Sequence, residues 1–67
     1  MKLSYDKKAD ALYLQIGDAP VARTETVRPG LMVDVDEDGN VIGIEVLSVA
    51  RQMPDADLSR VQLDLAS

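Results

Sequence analysis

The sequence contains no histidine and no cysteine, and its only aromatic residues are two tyrosines. Without His or Cys the chain cannot form a Ser-His-Asp or Cys-His catalytic arrangement, or a zinc site of thiolates and imidazoles. A disulfide framework is excluded for the same reason. Two tyrosines also give little platform for stacking nucleic-acid bases. We therefore expect no enzyme and no bound cofactor.

The charge balance and the length set further limits. The chain has 67 residues, with 12 acidic and 7 basic side chains and a net charge of −5. An acidic chain is a poor ligand for a phosphate backbone, so we expect no nucleic-acid partner. Residues 1–67 are long enough for one small domain, and such domains bury only about 60% of their unfolded surface. Small domains often gain stability from oligomerisation, so we expect a homo-oligomer (a dimer) or another protein partner.

Apolar residues are dispersed along the chain. The N-terminal stretch has no apolar segment of about 7–15 residues behind its lysine, which a signal peptide requires. No apolar run approaches the roughly 18 residues needed for a membrane span. We expect a cytoplasmic protein with no membrane contact.

Turn-forming clusters of Gly, Pro, Asp and Asn recur at intervals of roughly ten residues, and the runs between them are short. This spacing predicts a mainly β or α+β fold, a small antiparallel β-meander of about five strands. Leu12, Leu14 and Ile16 alternate with less apolar residues, which favours a strand over 11–16. A helical stripe is the competing interpretation there, but Gly17 ends the run too soon for a stable helix. The polar, Thr-containing run 21–27 is typical of an edge strand.

Residues 31–46 carry the clearest pattern, a β-hairpin. A loop of Asp36-Glu37-Asp38-Gly39 would pair Val33 with Ile42 and Leu31 with Ile44, which places both apolar sets on one face. Gly39 can supply the positive φ that such a loop needs. Good helix formers over 47–53 predict a short helix or helical turn before Pro54. Alternation over 61–65 favours a final strand, with a C-terminal helix as the alternative.

The loop of this hairpin matches the spacing of a calcium-binding EF-hand loop. The matching residues are Asp34, Asp36, Asp38, Gly39 and Glu45. An EF-hand needs a helix on each side, whereas a Pro-Gly pair interrupts the preceding segment and the following one alternates like a strand. We therefore expect no metal. Weak binding of calcium or of a small ligand by segment 34–45 is retained as the alternative function.

Two further carboxylates, Asp6 and Asp10, lie close to Tyr5. A carboxylate pair can perform general acid–base chemistry, as in glycosidases. Aspartates between two strands are also natural turn formers. We favour the turn role, and we assign no catalytic residue.

The whole net charge can be placed on one part of the chain. Residues 29–50 contain five acidic residues and no basic one, which leaves seven acidic and seven basic residues elsewhere. The hairpin loop holds three of the five, and we predict that Asp36, Glu37 and Asp38 contact a partner. A small basic protein is the expected partner if the chain does not bind itself, because charge complementarity accelerates association.

Three motifs together resemble a known family. They are Tyr5-Asp6-x-x-Ala9-Asp10-Ala11-Leu12-Tyr13-Leu14, Pro29-Gly30-x-x-Val33-Asp34-x-Asp36-x-x-Gly39, and Val41-x-Gly43-Ile44-Glu45-Val46-Leu47. The chain resembles a widespread prokaryotic family of short proteins catalogued as a domain of unknown function, over residues 3 to about 50. The resemblance implies a small β-rich fold with a helical turn, and no established activity. Members are often encoded beside small toxin-like proteins, which implies an antitoxin-like role by association.

Overall fold

The computed structural model describes residues 1–66, which form five strands and one short helix. In chain order these are β1 (Lys2–Asp6), β2 (Ala11–Gln15), β3 (Arg23–Arg28), β4 (Leu31–Val35), β5 (Val41–Val46) and α1 (Val49–Gln52). The predicted mainly β fold with a short helix after the hairpin is confirmed. No helix within the described residues is long and apolar enough to cross a membrane.

The strands form one antiparallel sheet in the order β1-β2-β5-β4-β3. Strand β5 lies beside β2, so the order departs from a simple meander at this one pairing. The connection from β2 must therefore pass the ends of β5 and β4 to reach β3. It starts with the N–H groups of Ile16 and Gly17, which both donate to the Ile42 carbonyl, at 2.9 and 3.2 Å. β1 and β3 form the two edges, as expected for the polar run 21–27.

The hairpin register differs from the predicted one by two residues. Val33 pairs with Ile44, and Leu31 pairs with Val46, while a bulge between Asp34 and Val35 accommodates the extra residue. The predicted pairing of Val33 with Ile42 was therefore wrong. The reason is a longer loop, because the N–H of Asp36 donates to the Asn40 carbonyl at 3.0 Å. A shift of two preserves the faces, so the apolar sets still coincide.

Alternation along the strands gives the sheet two chemically different faces. One face, which we call the apolar face, consists of eight residues in two rows that cross β1, β2, β5 and β4. The rows are Leu3, Leu14, Ile44 and Val33, and Tyr5, Leu12, Val46 and Leu31. The polar face is formed by Gln15, Gly43, Asp34 and Thr24, and by Tyr13, Glu45, Met32 and Thr26.

Helix α1 is held at the end of the sheet where β1 joins β2. The N–H of Val49 donates to the Asp10 carbonyl at 3.1 Å, and the N–H of Ala50 donates to the Asp10 carboxylate, also at 3.1 Å. The N–H of Leu47 donates to the Gly30 carbonyl at 2.8 Å. A residue distant in sequence therefore supplies the N-terminal cap that the Ser48 side chain does not provide.

The strand or helix predicted over 61–65 is absent from the described structure, where residues 53–66 form only turns and irregular chain. A strand requires a hydrogen-bonded neighbour, and this segment is paired with neither sheet edge. Its Val61, Leu63 and Leu65 side chains are 72%, 78% and 89% exposed.

Candidate functional site

The acidic loop, residues 36–40, is organised by the carboxylate of Asp36. This carboxylate accepts the N–H of Asp38 at 3.0 Å and the N–H of Asn40 at 2.9 Å. The bond from the Asn40 backbone lowers the pKa of Asp36 below its ordinary value. Gly39 has a φ of +82°, as predicted for this position. Glu37 and Asp38 are exposed beside it, so the three residues predicted to contact a partner do lie together.

The four calcium candidates are not gathered around one point. Asp34 lies on the polar face in β4. Glu45 lies on the same face in β5, where it pairs with Met32 and not with Asp34. Asp36 is turned into its own loop. Within residues 1–66 no group of three or more His, Cys, Asp or Glu side chains is placed to hold a metal ion. The EF-hand spacing in the sequence therefore does not become an EF-hand geometry.

Asp6 and Asp10 organise the turn between β1 and β2. The Asp6 carboxylate accepts the N–H groups of Lys8 and Ala9 at 3.0 and 3.2 Å. Asp10 has a φ of +52°, and its carboxylate accepts the Tyr5 hydroxyl at 2.7 Å in addition to the helix N–H. The hydrogen bond to Asp10 raises the pKa of Tyr5. Both carboxylates thus have the turn role that we favoured.

A second tyrosine–aspartate pair crosses the polar face. The hydroxyl of Tyr13 in β2 donates to Asp34 Oδ2 at 2.8 Å, and Thr24 in β3 donates to Asp34 Oδ1 at 2.6 Å. The bond to Asp34, reinforced by partial burial, raises the pKa of Tyr13. To reach Asp34 the tyrosine ring lies over Gly43 in β5, where a Cβ atom would stand 2.7 Å from Tyr13 Cζ. Three polar side chains thereby connect β2, β4 and β3 across β5.

Sequence reasoning missed this network, although two signals for it exist. Tyr13 and Asp34 both occupy positions of their strands that alternate with apolar residues, which places them on the same sheet face once the strands are paired. Gly43 interrupts an otherwise β-branched strand, and an isolated glycine in a strand often marks close approach of another group. What the sequence could not supply was the β2–β5 pairing that brings the three together.

The apolar face is only partly covered. Within residues 1–66 the buried apolar residues are Val35, Ile42 and Val49. Val35 and Ile42 continue the apolar side of β4 and β5 towards the acidic loop, whereas none of the eight residues of the face itself is buried. Gly17, in the connection after β2, lies against Ile42, where an added Cβ would stand 3.3 Å from Cγ2. Leu3 is 42% exposed, and the other seven residues of the face are half-buried.

Segment 53–66 lies over one corner of the apolar face and packs loosely there. A cavity of about 440 Å³ that is open to solvent lies between the two, lined by Leu3, Tyr5 and Leu12 from the sheet and by Leu58 and Val61 among the segment's residues. A well-packed interior has few voids larger than a water molecule. This corner therefore has the loose packing of a surface rather than of a finished core.

These residues thus build a domain of one sheet, in which aspartates are hydrogen-bonded within the chain and an apolar face is only partly covered. The model of a family described as "Protein of unknown function (DUF2283)" matches residues 2–49, which include all five strands. The chain belongs to this DUF2283 family, which confirms the resemblance seen in the sequence. No curated protein and no solved structure matches the chain.

Proposed function

We propose that this protein is a non-catalytic protein-interaction module. The observation that carries the proposal is the apolar face, eight residues on one side of a single sheet that the rest of the described chain leaves only partly buried. Contiguous exposed apolar surface is characteristic of interaction sites in soluble proteins. A second protein surface would complete the burial of this face.

The placement of the reactive side chains supports the non-catalytic part of this proposal. Asp10, Asp34 and Asp36 each accept at least two hydrogen bonds from the chain itself. Each tyrosine hydroxyl donates to one of these carboxylates, Tyr5 to Asp10 and Tyr13 to Asp34, and these bonds raise the pKa of both phenols. General acid–base catalysis needs a titratable group that is free to exchange a proton with a substrate. Here these groups stabilise the turn, the helix and the sheet.

The acidic loop gives the module a second contact, suited to a basic partner. Glu37 and Asp38 are exposed, and together with Ala19 and Pro20 they line a shallow groove at the end of the sheet. A basic, ribonuclease-like toxin would find complementary charge here, in keeping with an antitoxin-like role. Because these are rim charges, their contribution should decline with added salt.

The native size of the protein tests the proposal. We expect full-length protein in extract from its own host to elute from size exclusion well above its 7.3 kDa mass. The variant Leu3→Lys, which places a charge on the apolar face, should elute later than wild type. Its control is Ser4→Lys, at the next residue of the same strand but on the opposite face. Elution of the wild type as a 7.3 kDa monomer at native concentration would contradict the proposal.

The charge-reversed variant Glu37→Lys, Asp38→Lys tests the acidic contact separately. Both residues are exposed and Asp36 is left to close the loop, so the fold should be unaffected. A basic partner held at low salt by wild type should be lost from this variant. Equal retention by both proteins would exclude the loop as a contact.

A further inference from the structure

The chain exposes more surface than its mass predicts. A folded monomer of this mass has an accessible surface of roughly 4,200 Å², whereas this chain, of 7.3 kDa, exposes 5366 Å². The excess is about 1,200 Å². If two chains each buried that excess, the interface would total about 2,400 Å², which is in the range of obligate homodimers.

The charges around the apolar face favour a copy of the same face over a charged partner. On this side of the sheet, β3 presents Arg23 and Glu25, whose side chains lie 3.8 Å apart and cancel in formal charge. Arg28, which pairs with Leu31, adds one positive charge at this edge. The acidic residues of the loop lie beyond the end of the face. A partner selected by positive charge would therefore meet the loop, whereas the eight residues of the apolar face are uncharged and can pack against their own copy.

The shape of the molecule permits such a contact. The chain measures 34 × 33 × 19 Å, so it is a thin slab with its apolar side on one of the broad surfaces. Two sheets that pack face to face lie about 10 Å apart, and their side chains interdigitate into a shared core. Leu58 and Val61, which line the cavity above Leu3 and Leu12, extend the apolar area at one corner.

We infer that the apolar face binds a second copy of this chain, face to face, with the two acidic loops at opposite ends of the dimer. The inference rests on the proposed function and names the partner of the same surface. A two-fold axis across the strands separates the loops, whereas an axis along the strands would place them side by side. Like charges at one end would repel, so the first arrangement is favoured.

Sedimentation equilibrium of the purified full-length protein tests the partner. We expect a wild-type mass of twice 7.3 kDa at micromolar concentration. Leu3 is 42% exposed in the single chain, so the variant Leu3→Lys should fold. In the dimer, each copy of this variant would place one lysine in the interface. We expect its dimer dissociation constant to rise by about 100-fold. Ser4→Lys should leave the constant unchanged.

A second matched pair guards against an effect on folding. Leu14→Asp changes the centre of the apolar face, and Gln15→Asp changes the next residue of β2 on the polar face. Circular dichroism should show the sheet in both variants, with only Leu14→Asp monomeric. A dimer that persists in both folded variants, Leu3→Lys and Leu14→Asp, would overturn the inference. Edge-to-edge pairing through β1 or β3 would give that result.

The arrangement of the two copies can be measured with spin labels, because the chain contains no cysteine to interfere. Asp38→Cys places one label on each acidic loop. We expect the label-to-label distance to be comparable with the 34 Å length of the molecule. A distance below about half that length would put the loops side by side and overturn the proposed arrangement. If the pure protein is monomeric but elutes high in host extract, the second copy is wrong while the interaction module stands.

Discussion

The substitution Gly43→Ala tests the account of the polar face. A Cβ at position 43 would stand 2.7 Å from Tyr13 Cζ and would meet the hydroxyl as well, so the ring cannot stay where it is. The ring is the far end of a side chain, and it can rotate towards solvent without moving the backbone. The hydrogen bond from Tyr13 to Asp34 is lost when it does so.

The expected cost follows from that lost bond. A hydrogen bond to a charged group contributes about 1.5–3 kcal/mol, and the partial exposure of this pair favours the lower part of the range. Alanine offsets about 0.5–1 kcal/mol of this cost, because glycine in a strand loses more conformational entropy on folding. The net loss in the free energy of unfolding is then about 0.5–1.5 kcal/mol, a decrease in Tm of roughly 2–12 °C for a domain of this size.

Urea and thermal denaturation of four proteins measure the effect: wild type, Gly43→Ala, Tyr13→Ala and the double variant. With the ring removed, Gly43→Ala should become neutral or slightly stabilising, because only the entropy gain of alanine remains. A wild-type-like or more stable Gly43→Ala in the presence of Tyr13 would refute the reasoning. An equal destabilisation in both backgrounds would show that the ring is not the cause.

Three further outcomes follow from the same contacts. Asp10→Ala removes the acceptor for the Tyr5 hydroxyl and for the helix N–H, so urea denaturation should show a loss of about 1–2 kcal/mol that Asp10→Asn largely restores; an unchanged Asp10→Ala would contradict this. The pKa of Asp36 is lowered by the N–H of Asn40, so this carboxylate stabilises the fold above its ordinary pKa of 3.8, and the stabilisation is lost as the pH falls through the lower pKa of the folded state. The stability difference between wild type and Asp36→Asn should therefore shrink in acid, and a difference independent of pH would be evidence against the bond. Calorimetric titration with Ca²⁺ should give no saturable heat below about 1 mM, because Asp34 and Asp36 are bonded elsewhere; tighter saturable binding would restore the calcium hypothesis.

Local patterns were sufficient to predict most of the strands. Leu12 and Leu14 in one strand, and Leu31 and Val33 in another, are each two residues apart. This spacing specified which side of each strand is apolar, because successive side chains of a strand point to opposite faces. The left-handed φ of Gly39 and the turn role of Asp6 were predictable from turn chemistry alone. These features need no knowledge of the remaining chain.

The features that the sequence could not specify depend on the detailed geometry of one turn or on contacts between distant residues. The hairpin register follows from the loop bonds of Asp36 and a bulge, and a shift of two residues leaves the hydrophobic pattern unchanged. The segment 61–65 has a strand-like pattern, but the sheet offers it no paired edge within the described chain. The cap that Asp10 provides for α1 joins residues forty positions apart, and no local pattern reveals it.

We propose that the apolar face is the surface by which this protein binds protein, in the first instance a second copy. The most direct measurement is the relaxation enhancement of methyl groups by a soluble gadolinium chelate. We predict that the methyl groups of Leu14, Val33 and Ile44 are protected from the chelate in the full-length protein, while the exposed Val41 methyls relax strongly. Protection should decrease on dilution below the dimer dissociation constant and in Leu3→Lys. Strong relaxation of all three residues in the concentrated wild type would contradict the account.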